Sequence, residues 1–141
     1  MSGGPGAGLR ILLVEDEPAN RALVRAILGR SREPALLGHV VHEAASVAEA
    51  RAILAASPID VALLDVRLPD GNGLDLAAEI RASGQGATRI VIVSASVLPA
   101  ERSRAVETGA DAFVGKPFGA AELVEVLTTL GHGADAQTGR S

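Results

Sequence analysis

Four short apolar runs, Leu9 to Val14, Ile59 to Leu64, Ile90 to Val93 and Ala112 to Val114, alternate with segments of helical period, and this alternation limits the chain to one layered class of fold. Runs this short and partly β-branched read as strands buried on both faces, which is the pattern of a parallel sheet. Parallel neighbours require right-handed crossovers, so helices must cover both faces of the sheet. A fifth and weaker strand is expected from about His39 to Glu43. The fold class is therefore α/β, a doubly wound five-stranded parallel sheet with five helices.

Between the strands the helices are marked by their own signals. Glu17-Pro18 opens the first, in which Ala22, Leu23, Ala26 and Ile27 form an apolar stripe that Gly29 is expected to close. Ser31 to Gly38 is a loop holding Pro34. Ser46 and Glu49 have the spacing of a capping box, followed by Val47, Ala50, Ile53 and Leu54 at helical period up to Ser57-Pro58. Leu68 to Gly73 is a turn, Leu74 to Ala82 a helix with Ala77, Ala78 and Ile80 facing inward, and Gly84 to Gly86 its loose end. Pro99 to Thr108 and Gly119 to Leu130 complete the series. Residues 1–8 and 131–141 lack an apolar period and are expected to be flexible ends of one domain over residues 9–130, complete in itself.

Composition removes several function classes. Hydrophobic residues make up 48% of the 141, but Phe113 and Phe118 are the only aromatics, so the core is aliphatic and single-stranded nucleic acid finds no stacking platform. A net charge of −4 argues against a phosphate-backbone footprint. The absence of cysteine excludes disulfides and thiolate chemistry. No apolar run is long enough to cross a bilayer and the Gly-rich start has no signal-peptide pattern, so a cytoplasmic protein is expected.

Glu15, Asp16, Asp65, Ser94 and Lys116 each sit at or just past the end of an apolar run. The carboxyl ends of parallel strands are where open α/β sheets place their ligands, so these groups converge on one sheet edge. Three carboxylates gathered together repel unless a cation joins them, which points to a hard divalent ion with oxygen ligands. A Lys and a hydroxyl beside such an ion suit a phosphoryl group.

In this order, Val14-Glu15-Asp16-Glu17, Leu63-Leu64-Asp65-Val66, Leu68-Pro69-Asp70-Gly71, Ser94-Ala95 and Lys116-Pro117-Phe118 resemble the receiver domain of two-component response regulators, over roughly Leu9 to Leu130. The resemblance implies a flavodoxin-like sheet of order 2-1-3-4-5, and a single-domain regulator that takes a phosphoryl group on Asp65 from a phosphohistidine and signals to a protein partner by a conformational change. It implies Mg²⁺ held by Glu15, Asp16, Asp65 and the backbone carbonyl of Arg67, with Lys116 and the Ser94 hydroxyl stabilising the phosphoryl oxygens. Ser94 and Phe113 match the family's switch pair, Arg67 and Ser96 match positions that flank the phosphoryl group, and Lys116-Pro117 matches a cis peptide. The implied partners are a histidine kinase or histidine phosphotransfer protein and a downstream protein, with room for a homodimer on phosphorylation and none for nucleic acid, a membrane or a separate substrate.

Plainer readings stand beside these. Phe113 is a core residue on either account, and Phe118 is expected to pack under the last helix. Arg21 and Arg25 share a face of the first helix near where receivers dock their kinases, but they also read as a solvated pair. His39 and His42 have no carboxylate at ligand spacing and carry no role. An unphosphorylated pseudo-receiver would be a pure interaction module, and the clustered like charges argue against it. A metal-dependent phosphohydrolase of similar fold would carry a second Asp two residues after the nucleophile, where this chain has Arg67.

Overall fold

In the computed structural model the protein is described over residues 8–83, 87–95 and 98–130, and in backbone alone over residues 131–140. Five strands form one parallel sheet in the order β2-β1-β3-β6-β7, from β1 (Arg10–Val14), β2 (Val40–Ala44), β3 (Val61–Asp65), β6 (Arg89–Ser94) and β7 (Ala112–Gly115). Between β3 and the next helix, β4 (Arg67–Leu68) and β5 (Gly71–Asn72) make a small antiparallel hairpin where a turn is expected. Counting only the strands of the main sheet, the order is 2-1-3-4-5.

The helices are α1 (Pro18–Arg30), α2 (Val47–Ala56), α3 (Gly73–Ala82), α4 (Pro99–Glu107) and α5 (Ala120–Arg140). Side chains alternate across each strand, which divides the core into two layers. Leu12, Val14, Ala62, Leu64, Ile90 and Ile92 face α2, α3 and the single buried residue of α4, Ala105. Ile11, Leu13, Leu63, Val91 and Val114 face Val24, Ile27 and Leu28 of α1 and Leu123 and Leu127 of α5. Phe113 lies against the first layer and Phe118 against the second, each partly buried.

Several local expectations are corrected. The buried stripe of α1 is Val24, Ile27 and Leu28, while Leu23 is 45% exposed and Ala22 and Ala26 are also on the surface. Two stripes offset by one residue fit the same period and share Ile27; the one with the larger flanking side chains, Val24 and Leu28, buries more apolar area. In α3 the inward residues are Leu74, Leu76, Ala77 and Ile80, and Ala78 faces out. Gly29 does not end α1, which runs to Arg30. A glycine terminates a helix by taking a left-handed φ, and among the described residues only Gly38 and Gly109 have one. A Cβ at Gly29 would meet nothing within 4 Å. Gly29→Ala is therefore expected to stabilise the fold by about 0.5–1 kcal/mol, read as a higher urea midpoint at unchanged slope.

The loop after α1 contains a 3-10 turn, Pro34–Leu36, that sends Leu36 into the second core layer with 1% exposure. The backbone of α5 continues through residues 131–140, where the sequence reading ends the helix at Leu130. An apolar period is not needed for helical hydrogen bonding to continue. Of the predicted flexible ends, residues 1–7 and 141 lie outside the described residues, as do Gly84 to Gly86, Ser96 and Val97.

Candidate functional site

The register of the sheet brings the chemistry together. Val14 pairs with Leu64, Asp65 with Val93 and Ser94 with Gly115, so the carboxyl ends of β1, β3, β6 and β7 stop nearly level. Glu15 and Asp16 follow β1, Asp65 ends β3, Ser94 ends β6 and Lys116 follows β7. All five line one open cleft, together with Arg67 on its wall.

Within that cleft, one ligand oxygen each from Glu15, Asp16 and Asp65 lies within 4.8 Å of the others. Glu15 and Asp65 are buried, at 4% and 9% exposure, and Asp16 is exposed. Lys116 Nζ donates to Glu15 Oε1 at 2.8 Å and lies 3.3 Å from Asp65 Oδ2. The other Glu15 oxygen accepts from the Glu17 amide at 3.1 Å. Two backbone bonds stitch the strand ends, Lys116 N to Ser94 O at 2.8 Å and Val66 N to Val93 O at 3.3 Å. The Lys116-Pro117 peptide is cis.

Three acids facing one ammonium leave an excess of negative charge. Burial, then the Glu15 charge, raise the Asp65 carboxyl against the opposing pull of Lys116, so its pKa is pushed up to about 6 from 3.8. Burial opposes the Lys116 charge, but the bond to Glu15 and the charges of Asp65 and Glu15 outweigh it and hold the ammonium above its ordinary value. An oxygen-rich site that is acidic even after its lysine is counted fits a hard divalent cation.

The Asp65 shift carries a sign for stability. Between the two values the folded chain keeps a proton that the unfolded chain has released, so the stability contribution is intact below about pH 4 and is lost as pH rises through about 6. In metal-free buffer, Asp65→Asn is therefore expected to gain about 5 °C more in melting temperature over wild type at about pH 7.5 than at about pH 4, as followed by circular dichroism. An equal gain at both pH values would contradict the shift.

Three further groups shape the site without an evident sequence signal. Arg21, on α1, donates to the Glu15 carbonyl at 2.7 Å and pairs with Glu43 of β2 at 3.3 Å, while Arg25 pairs with the same Glu43 at 2.6 Å. Arg21 is thus tied to the backbone of the acidic turn, which a solvated face does not describe. Gly73 sits under Asp65: a Cβ there would stand 2.0 Å from the Asp65 carbonyl oxygen. Glu101, in the first turn of α4, accepts the Ser94 hydroxyl. Ser96, the other position flanking the phosphoryl group in the resemblance, lies outside the described residues.

A family model for the response regulator receiver domain matches residues 11–128. The chain belongs to the response regulator receiver family. It is 40% identical over 121 residues to a two-component response regulator of Oryza sativa subsp. japonica, covering 84% of this chain and 91% of that one. Seven further curated relatives are longer, and the chain spans 16% to 65% of their length. Among solved structures, a CheY-like receiver domain protein from Methanospirillum hungatei JF-1 superposes with a TM-score of 0.81 at 25% identity, covering 92% of this chain and 98% of the other. The receiver domain of a sensor histidine kinase from Pseudomonas aeruginosa PAO1, with a magnesium ion coordinated in its active-site cleft, gives 0.77 at 32% identity, covering 89% and 99%. As in other receivers, the doubly wound sheet carries a signalling module. No helix among the described residues is long and apolar enough to cross a membrane.

Proposed function

We propose that this receiver takes a phosphoryl group onto Asp65 from a phosphohistidine of a histidine kinase or phosphotransfer protein, and passes the signal on to a protein partner through α4 and β7. The observation that supports this most strongly is the position of Lys116 Nζ between Glu15 and Asp65, on a strand end next to that of Ser94. An anionic acceptor, a fixed cation and a hydroxyl on neighbouring strand ends are what phosphoryl transfer requires.

Glu15, Asp16, Asp65 and the Arg67 carbonyl would hold Mg²⁺, which would supply positive charge to offset that of the incoming phosphoryl oxygens. The related kinase receiver with magnesium in its cleft is consistent with that assignment. In the transfer, an Asp65 carboxylate oxygen forms the new bond to phosphorus while the bond from phosphorus to the histidine nitrogen breaks. The nitrogen leaves with its electron pair, as neutral imidazole when the other ring nitrogen carries a proton, and the carboxylate of Asp65 has no proton to lose, so no general base is needed. Lys116 meets the charge on the equatorial oxygens, and the Ser94 hydroxyl donates to one of them. Hydrolysis reverses the state, with water attacking phosphorus and Asp65 returning as carboxylate.

The ammonium also couples the chemistry to the switch. Lys116→Ala is expected to retain Mg²⁺ binding by titration calorimetry but to lose the shift of the Phe113 ring resonances on phosphorylation. The spectrum is readable because Phe118 is the only other phenylalanine. A Phe113 shift of wild-type size in the variant would remove Lys116 from this role.

A further inference from the structure

We infer that Glu101 is a positioning residue that competes with the phosphoryl group for the Ser94 proton, and that Glu101 and Arg102 together latch α4 to the two switch residues before phosphorylation. This rests on the reading of Asp65 as phosphoacceptor and adds to it a residue outside the cleft. Ser94 is 4% exposed and its hydroxyl donates to Glu101. A serine hydroxyl has one proton, so it cannot donate to Glu101 and to a phosphoryl oxygen at once. The next residue, Arg102, places its guanidinium 4.9 Å from the centre of the Phe113 ring, a cation–π contact. Consecutive residues of one helical turn therefore hold Ser94 on β6 and Phe113 on β7.

The remainder of α4 is lightly attached. Ala105 is its only buried residue, the N-terminal residue Leu98 gives it no side-chain cap, and Val106 is 72% exposed. With so little apolar burial, the contacts that Glu101 and Arg102 make contribute much to fixing the first turn of the helix on the sheet. Once the Ser94 proton turns to a phosphoryl oxygen, Glu101 loses its donor and that end of α4 is released. Phosphorylation is in this way linked to the helix position by exchange of one hydrogen bond. The same linkage requires that removing Glu101 favour the phosphorylated arrangement.

Two measurements test the latch. Amide exchange in unphosphorylated protein reads it directly: Glu101→Ala and Ser94→Ala should each speed exchange through residues 99–107 about tenfold, and the double variant no more than either. Glu101→Gln, whose amide oxygen still accepts, should stay near wild type. Unchanged exchange in Glu101→Ala, or additive effects in the double variant, would overturn the inference. Binding of beryllofluoride with Mg²⁺, a phosphoryl mimic, reads the competition: Glu101→Ala should bind about tenfold tighter than wild type, and the gain should vanish in a Ser94→Ala background. An equal gain without the hydroxyl would reduce Glu101 to a general structural role and overturn the competition. Wild-type protein that bound no beryllofluoride would count against the phosphoacceptor reading, while the exchange result would still decide whether Glu101 and Ser94 are coupled.

Discussion

Asp65→Asn is expected to take phosphoryl incorporation from one group per chain to none while leaving the fold intact. The carboxamide has nearly the shape of the carboxylate, so the pairing of Asp65 with Val93 and the packing of β3 are undisturbed. It lacks the anionic oxygen that the proposed transfer requires, and among the described residues Asp65 is the cleft carboxylate that ends the central strand, 3.3 Å from Lys116 Nζ. Removing one of three clustered negative charges should also weaken Mg²⁺ binding by about tenfold or more, because the ion's affinity follows the charge count of its ligands. Incorporation at the wild-type level would contradict the assignment of the acceptor.

Gly73→Ala is expected to damage both stability and the site. Gly73 opens α3, and its amide donates to the Val66 carbonyl at 2.8 Å, which draws the helix start against the end of β3. A Cβ at this point would lie 2.0 Å from the oxygen and 2.9 Å from the carbon of the Asp65 carbonyl, and 3.3 Å from Val66 Cα. Every one of these atoms is backbone, so no side chain can swing aside. Either the strand end or the helix start must shift, at a cost of about 3 kcal/mol. Because Asp65 and Arg67 flank the displaced peptide, Mg²⁺ affinity should fall with stability. Urea denaturation and calorimetric Mg²⁺ titration check the two effects, and wild-type values in both would contradict the close approach. The opposite sign expected for Gly29→Ala shows that the space around the missing Cβ decides the outcome, and the residue type alone does not.

The convergence of Glu15, Asp16, Asp65, Ser94 and Lys116 on one cleft was legible because a parallel sheet converts sequence position into spatial position. Each polar residue that ends a buried strand must emerge at the same edge, and the level register of Val14, Leu64, Ile92 and Phe113 does the rest. Helical surfaces allow no such conversion. Glu101 looks like any acidic residue in a helix's first turn, seven positions after Ser94, and its bond depends on how α4 lies on the sheet. Arg21 reads as solvated because its partners, the Glu15 carbonyl and Glu43, come from two other elements. Periodicity also failed to choose between the two stripes of α1, where one residue of phase separates Leu23 from Val24, and it could not mark the end of α5 because a helical backbone can continue past the end of an apolar period. Asp70 reads as a turn former, yet it accepts from the Val47 and Ala48 amides at 2.7 and 3.0 Å and so helps cap α2 from the hairpin.

The central claim, phosphoryl acceptance by Asp65, is tested most directly by incubating the protein with acetyl phosphate with and without Mg²⁺, measuring its intact mass, and reducing the product with borohydride before peptide mapping. The expected result is a Mg²⁺-dependent gain of one phosphoryl group and conversion of position 65 alone to homoserine, the reduction product of an aspartyl phosphate. No gain in mass, a gain independent of Mg²⁺, or reduction at a carboxylate other than Asp65 would contradict it.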